Sequence, residues 1–202
     1  MAFDFKKKYK ELYSPAQQPH IIDVEPIKFL AVRGHGNPND ESGEYQQSIG
    51  LLYPLMYTIK MGKKGQFDFV VLPLEGLWWQ EGVRGYNPQR KDQLSFISMI
   101  RVPDFVTEDV LQWAKIQVEH KKKLDTSKAE LFTYTEELCV QALHIGPYDS
   151  EPETVEKMHQ YAQAQGCALD ITDPRHHHEI YIGDPRRAHS DKLKTVICQP
   201  IK

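Results

Sequence analysis

Two glutamates of this chain stand among apolar and aromatic residues. Glu75 lies in the run from Leu74 to Trp79, and Glu179 lies in the run from His178 to Ile182. A carboxylate in such surroundings is unfavourable unless a cation or a hydrogen-bond donor compensates its charge. The two runs therefore indicate a pocket for an aromatic guest that carries positive charge.

Two carboxylates in one aromatic cleft would also repel each other, so one of them is expected to hold its proton at neutral pH. The ionised partner then has the properties of a general base toward water, and the protonated one has those of an acid. A structural interpretation stays open for each residue. Glu75 could shape a turn before Gly76, and Glu179 could be a solvent-facing glutamate on an edge strand.

Aromatic side chains near these glutamates are candidates for the walls of the pocket. Because alternate residues of a strand face the same side, Glu179 and Tyr181 are predicted to share a face. Each cation–π contact contributes ~0.5–2 kcal/mol. Several of them beside a carboxylate therefore favour a protein that binds many different ligands. The further candidates, any of which could instead cover the core, are Phe69, Trp78, Trp79 and Tyr148.

The histidines and cysteines predict no metal site and no cofactor. The run from His176 to His178 is expected on a strand, where neighbouring side chains face opposite sides and cannot all chelate one ion. Cys139, Cys167 and Cys198 lack metal-ligand spacing, and nucleotide-binding glycine motifs are absent from the sequence. His144, at a strand end, could relay protons or orient Glu179, or could be satisfied by the backbone.

Composition restricts the partners and the compartment. The 202 residues carry a net charge of −3, which gives no reason to expect nucleic acid as a partner. The sequence contains no apolar run of the ~20 residues that a membrane helix needs. An odd number of cysteines is typical of a reduced chain, so we expect a cytoplasmic protein.

A repeated order of apolar strands indicates an internal duplication. The same number of residues separates Gly34 from Gly146 and Pro73 from Pro185. We expect a leading strand in each module to pair as a hairpin with the strand that follows it. The predicted strands are 21–24, 29–34, 67–72 and 96–102 in the first module and 131–134, 141–146, 179–184 and 194–199 in the second.

Helical spacing of apolar residues predicts one helix in each module and one between them. The first runs from about Glu41 to Lys60, and Pro54 should kink or interrupt it. A capping box of Ser150 and Glu153 is expected to begin the second helix. The third helix should start at Thr107 and link the modules.

These stretches together resemble the GyrI-like small-molecule-binding family. The resemblance covers nearly the whole chain and rests on residues 19–24, 29–34, 72–79, 141–148 and 178–182. It implies an α+β fold in which a strand-helix-strand-strand module occurs twice. Antiparallel sheets would carry helices on one face, and a ligand cleft would lie between the modules. The boundaries would be 19–104, with an inserted loop at 74–95, then a linker helix at 105–127 and a second module at 128–202.

The same resemblance implies a function. Relatives sense aromatic cations in multidrug-responsive regulators, and some stand-alone relatives hydrolyse cyclopropane-bearing DNA-alkylating natural products. The first module begins close to Met1, so we expect a stand-alone protein rather than a regulator. The resulting hypothesis is a multidrug-binding protein for aromatic or cationic small molecules. Its alternative is a cofactor-independent hydrolase in which Glu75 and Glu179 activate water.

Overall fold

The computed structural model describes residues 2–62, 65, 67–82, 88–183 and 188–202. It confirms an α+β fold with antiparallel strand pairing. In chain order the elements are α1 (Phe5–Lys8), α2 (Lys10–Tyr13), β1 (His20–Val24), β2 (Ile27–His35), α3 (Glu44–Gly62), β3 (Glu75–Gln80), β4 (Leu94–Arg101), α4 (Glu108–Lys122), β5 (Ala129–Tyr134), β6 (Glu137–Ile145), α5 (Glu151–Ala164), β7 (His177–Tyr181) and β8 (Lys194–Pro200).

The chain divides into two compact units. Unit 1 comprises Met1–Phe5, Ile27–Leu72 and Trp78–Tyr134, and unit 2 comprises Lys6–Pro26, Pro73–Leu77 and Thr135–Lys202. Among the described residues, no helix has the length and hydrophobicity needed to cross a bilayer.

Unit 1 is built around strand β2. This strand pairs with β4 on one side and with β5 on the other, both antiparallel. Helix α3 packs against β2 and β4 and buries Leu52, Leu55, Met56 and Ile59 on one face. Burying an aliphatic side chain of this size contributes roughly 1.5–3 kcal/mol, so this face holds the helix on the sheet.

Unit 2 is built around strands β6 and β8. Strand β6 pairs with β1 and β8, and β8 pairs with β7. Helix α5 places Met158 and Ala162 against Val140, Ala142 and Ile197, all of them buried. The helix therefore covers one face of this sheet, and the opposite face is available to other side chains of the unit.

The predicted hairpins are wrong. Strand β1 pairs with β6, and β5 pairs with β2, so each unit takes one strand from the other half of the chain. The link between β1 and β2 is Glu25-Pro26, and two-residue hairpin turns need positive φ values that proline cannot adopt. The link between β5 and β6, Thr135-Glu136, also lacks the glycine or asparagine that such turns prefer.

The predicted strand 67–72 is also wrong in position, and the range 74–95 of the predicted inserted loop contains strand β3 and the start of β4. The strand is β3, and in 67–72 only Phe69 makes an isolated bridge, to Phe3. Residues 81–93 follow β3, and a stretch of similar length, 182–193, follows β7. The extra length of the first half is therefore spread over helix α3, with 19 residues against 14 in α5, and several neighbouring segments, rather than concentrated in one insert. Asp184 and Pro185, at the end of the other predicted strand, lie outside the described residues.

The structure confirms one predicted helix start and lacks a predicted capping box. Helix α4 begins as predicted, with the Thr107 side chain accepting a hydrogen bond from the Val110 amide at 3.4 Å. Pro54 does not interrupt α3; the carbonyl that loses its partner belongs to Gly50, an exposed residue, so water can replace the bond. The Ser150 hydroxyl donates to the Pro147 carbonyl at 2.7 Å and does not cap α5, so the capping box is absent.

Candidate functional site

Strand β7 presents different chemistry on its two faces. His177, Glu179 and Tyr181 are partly exposed, whereas His178 and Ile180 are buried. This alternation follows from the pleat of the strand. The predicted common face of Glu179 and Tyr181 is therefore present, and His177 belongs to it as well.

A carboxyl pair lies on the partly exposed face. Burial and the negative charge of Glu179 raise the pKa of Glu151 to about 10, so Glu151 holds its proton at neutral pH. Burial would also raise the pKa of Glu179. The hydrogen bonds that Glu179 accepts from His177, Tyr181 and Glu151 outweigh that effect and keep its pKa below the usual value. The pair thus consists of one ionised and one neutral carboxyl group.

A chain of polar side chains holds His177 in place beside this pair. The His177 Nε2 lies 2.9 Å from the Glu179 Oε1. The Gln199 amide donates to the His177 Nδ1, which leaves the ring proton on Nε2, facing Glu179. The Gln199 Oε1 in turn accepts from the His159 Nε2 at 3.3 Å. Gln199 and His159 therefore hold His177, and His177 fixes one side of the Glu179 carboxylate.

Two tyrosines border the carboxyl pair. The rings of Tyr148 and Tyr181 meet edge to face, with centroids 6.0 Å apart. Burial, together with the charges of Glu179 and Glu151, raises the pKa of Tyr148 to about 12. At this pKa the phenol is neutral at neutral pH. Tyr148 is still 40% exposed, so part of its ring faces solvent. An ionised carboxylate beside aromatic rings can bind an organic cation.

The buried face of β7 carries a second set of polar groups. The His178 Nε2 lies 3.0 Å from the Glu75 Oε2, and its Nδ1 bonds to Glu136. The Tyr13 hydroxyl donates to the Glu75 Oε1 at 3.1 Å. Burial alone would lower the pKa of His178, but the charge of Glu136 and the bonds to Cys198, Glu136 and Glu75 raise it well above its usual value.

The structure does not bring Glu75 and Glu179 together, contrary to the prediction that they share a cleft. Glu75 bonds to His178, and His178 and Glu179 are neighbours on a strand with opposite orientations. Glu75 is also completely buried. The carboxyl partner of Glu179 is Glu151, the first residue of α5, so the expected pair of one ionised and one protonated acid exists with a different member.

The predicted aromatic candidates from the first half of the chain lie in unit 1. Phe69 is 1% exposed and packs against Phe105, which makes it a core residue rather than a pocket wall. The Trp78 ring is half-buried and contacts the rings of Tyr45 and Phe96, with centroids 5.1 and 5.5 Å away. Trp79 is half-buried too. A role for the two tryptophans in binding, and a cleft between the modules, stay predictions.

His144 does not touch Glu179 in the described network. Its Nδ1 lies 2.8 Å from the Thr154 hydroxyl, and its Nε2 lies 3.2 Å from the Pro147 carbonyl and 3.3 Å from the Ser150 hydroxyl. These contacts match the structural interpretation of this histidine. His144 also lines a groove of about 650 Å³ on unit 2, and unit 1 has a separate groove of about 530 Å³. Neither groove has Glu179 among its described lining residues.

Sequence reasoning missed the partners of both glutamates. Glu151 resembled an ordinary acidic residue in the first turn of a helix, a position that favours negative charge. Glu136 and Tyr13 lie far from their partners along the chain. A usable signal was the alternation around His178, since it already separated His177 and Glu179 from His178.

Two clusters of side chains in unit 2 have the donor atoms that metal ions use. In one cluster Glu151, His177 and Glu179 each place such an atom within 4.8 Å of the others. In the other cluster Glu136, His178 and Cys198 do the same, and all three are buried. The first set suits a hard cation or a shared proton, whereas a thiol in the second set favours a softer metal.

Comparisons with known proteins identify the family. The GyrI-like small molecule binding domain matches residues 17–202. An uncharacterized conserved protein from Listeria innocua is 43% identical, with a TM-score of 0.93, over 99% of this chain and 100% of that chain. A hydrolase from Listeria innocua is 41% identical, with a TM-score of 0.88 and the same coverage. The C-terminal domain of EcmrR, 16% identical with a TM-score of 0.56 over 92% of this chain and 97% of its own, shares the fold. A search of curated proteins found no match.

Proposed function

The chain belongs to the GyrI-like small-molecule-binding family, and from that premise we propose that unit 2 binds aromatic cations at the carboxylate of Glu179. The observation that supports this most strongly is an ionised carboxylate, 14% exposed, that is held beside two tyrosine rings. A carboxylate in this position attracts positive charge, and the rings select for flat, apolar guests.

These groups supply much of the gross interaction energy from which useful affinity is obtained. A pair of unit charges at 4 Å gains about 4 kcal/mol at the effective dielectric of a protein surface. Each ring adds about 0.5–2 kcal/mol when it faces the cation. Together they approach the roughly 8 kcal/mol of a micromolar complex. Neither term depends on the detailed shape of the guest, so one site can accept many such compounds.

A fluorescence titration with a rhodamine-type cationic dye tests the proposal. The wild type is expected to bind with micromolar affinity, and Glu179→Gln is expected to lower the affinity about tenfold or more, because the counter-charge is lost. Glu156→Gln is the matched control, since it removes one exposed carboxylate from α5. A neutral aromatic dye of similar size should bind about equally to all three proteins. Equal affinity of wild type and Glu179→Gln for the cationic dye would disprove the role of Glu179.

A second candidate function is hydrolysis of a strained, electrophilic small molecule. It is supported by the pair of one ionised and one protonated carboxyl group and by similarity to a protein described as a hydrolase. Glu179 would take a proton from water while the water oxygen bonds to an electrophilic ring carbon. The electrons of the broken ring bond would pass to the leaving atom, which Glu151 would protonate. Glu151 thereby replaces Glu75, whose burial and bonded oxygens leave it no access to substrate.

Turnover assays separate the two candidates. A hydrolase is expected to convert a cyclopropane-bearing alkylating compound to its water adduct, detected by mass spectrometry. Both Glu179→Gln and Glu151→Gln should then lower the rate by about 10²-fold or more, since each removes a proton-transfer group. Glu151→Gln should still bind cationic dyes, because Glu151 is already neutral. Binding by the wild type without any turnover would leave the first function alone.

A further inference from the structure

Four side chains with metal-binding chemistry meet in the core of unit 2, on the face of the sheet opposite α5. They are Glu136, Cys139, His178 and Cys198, and each is at most 3% exposed. The donor atoms of Glu136, His178 and Cys198 all lie within 4.8 Å of one another. The thiol of Cys198 also contacts the thiol of Cys139. This face contributes nothing to the carboxyl pair of Glu151 and Glu179.

The strand register brings these residues together. His178 on β7 lies directly opposite Cys198 on β8, so their side chains share a face. Cys198 lies opposite Gln141 on β6, and Cys139 is two positions from Gln141 on the same face. Glu136 comes from the link before β6 and reaches the imidazole from the end of the strand. Donor atoms from two adjacent strands and one link thus converge on one point, and Cys139 on the third strand lies beside Cys198.

We propose that Glu136, Cys139, His178 and Cys198 bind one zinc ion. Four ligands of the sulfur, nitrogen and oxygen types in a closed, buried site are the usual donor set of structural zinc. Zinc bond lengths of about 2.0–2.3 Å place neighbouring tetrahedral donors roughly 3.2–3.8 Å apart. Three donor atoms that already lie within 4.8 Å of one another need shifts of about an ångström or less to reach that geometry.

The surroundings of His178 suit a metal ligand. Metal-bound imidazoles commonly donate their second nitrogen to a carboxylate, which fixes the ring and the tautomer. Here the His178 Nε2 faces the Glu75 Oε2 at 3.0 Å, and the Tyr13 hydroxyl holds Glu75 from the other oxygen at 3.1 Å. The Nδ1 is left to face Glu136 and Cys198. In addition, the Gln141 Nε2 donates to the Cys198 Sγ at 3.3 Å, a contact that suits a thiolate.

Zinc binding would replace protons. The ion displaces the thiol protons of Cys139 and Cys198 and the proton between His178 and Glu136, and these protons pass to solvent. Magnesium and calcium are poor alternatives, because thiolate ligands select softer metals. The two cysteines are reduced, and Cys139 lies opposite Pro200 rather than opposite Cys198. The sequence prediction of no metal site rested on the spacing of residues along the chain. These ligands instead converge from separate strands.

Metal content and a cobalt spectrum test the proposal. The full chain, without an affinity tag, is refolded with excess Zn²⁺ or Co²⁺ and desalted. We expect about one equivalent of zinc per chain. We also expect the thiolate-to-cobalt charge-transfer bands and the intense visible bands of tetrahedral Co²⁺. Cys139→Ser and Cys198→Ser should lose these signals. Cys167→Ser should keep them, because Cys167 packs beside α5 outside the cluster.

The zinc affinity of a Glu75 variant provides an independent test. Glu75→Gln is expected to weaken zinc binding about 10–100-fold, as loss of the partner of a ligating histidine does elsewhere, without removing the cobalt–thiolate bands. If a cysteine variant fails to fold, the spectrum of the wild type alone decides the proposal. The proposal is overturned if the wild type retains about a tenth of an equivalent of metal or less. Metal binding without thiolate bands, a Cys139–Cys198 disulfide in the refolded protein, or metal retained in Cys198→Ser would overturn it equally.

Discussion

Replacing Glu151 by glutamine is expected to make the protein more stable above neutral pH. The wild type must keep Glu151 protonated in the folded state, because burial and Glu179 raise the pKa of Glu151 from 4.5 to about 10. Unfolding frees this carboxyl to ionise. Glutamine is neutral at every pH and its amide can donate to Glu179, so the variant keeps the contact without the proton.

The size of the effect follows from proton linkage. A raised folded-state pKa stabilises the fold fully below pH 4.5, and this contribution is lost as the pH rises toward 10. The loss is about 1.4 kcal/mol for each pH unit in that window. Between pH 5.5 and 8.5 the wild type should therefore lose up to about 4 kcal/mol relative to Glu151→Gln.

Other titrating groups do not obscure the comparison. The lowered pKa of Glu179 gives stability that is gained as the pH rises to 4.5. This stability is therefore fully present before the pH reaches 5.5. The raised pKa of His178 gives stability that is lost above its usual value of 6.5, and both proteins share that loss. The difference between wild type and variant therefore reports on Glu151.

Urea denaturation at a series of pH values between 5.5 and 8.5 provides the assay. The free energies of unfolding of wild type and Glu151→Gln should diverge steadily as the pH rises. Glu156→Gln is the control, because Glu156 is an exposed residue of the same helix, and its curve should run parallel to that of the wild type. Parallel curves for Glu151→Gln as well would refute the conclusion that Glu151 is protonated in the folded protein.

Substitutions at Glu75 and Gly62, with matched controls, test the cores of the two units. Glu75→Ala should lower the free energy of unfolding by about 3–5 kcal/mol, since it removes a buried partner of His178, and Glu75→Gln should cost less. Urea denaturation measures both, and a loss below about 1 kcal/mol for Glu75→Ala would contradict the bonded network. Gly62→Ala would place a methyl group 2.2 Å from the Trp113 ring and should destabilise the protein by about 1–3 kcal/mol, with a change in tryptophan fluorescence. Gly50→Ala in the same helix meets no atom within 4 Å and should be neutral or stabilising, and equal effects at the two glycines would disprove the close packing at Trp113.

Local patterns of sequence predicted the elements whose signals are themselves local. The alternation in β7 separated Glu179 and Tyr181 from His178 without any knowledge of their partners. The start of α4 was predictable because Thr107 precedes acidic residues at the helix N-terminus. The apolar face of α5 was predictable from its spacing, and Met158 and Ala162 indeed lie in the core.

Pairings across the chain could not be predicted in this way. Glu151 and Glu179 meet only because α5 begins beside β7, and no spacing rule joins these positions. The apolar run 67–72 has the composition of a strand but finds only one bridge partner. Glu75 and His178 are 103 residues apart, and their bond depends on where β3 begins rather than on either local sequence.

The exchange of β1 and β5 has a consequence for synthesis on the ribosome. His20 of β1 pairs with Gln141 of β6, so a translating chain must extend by more than a hundred residues before the strand finds its neighbour. At about 5–20 residues per second this takes roughly 6–24 seconds. During that interval Ile21 and Ile22 form an unprotected β-prone segment, and the adjacent Asp23 supplies a charge of the kind that discourages aggregation. We therefore expect Asp23 to protect the nascent chain against aggregation before unit 2 exists.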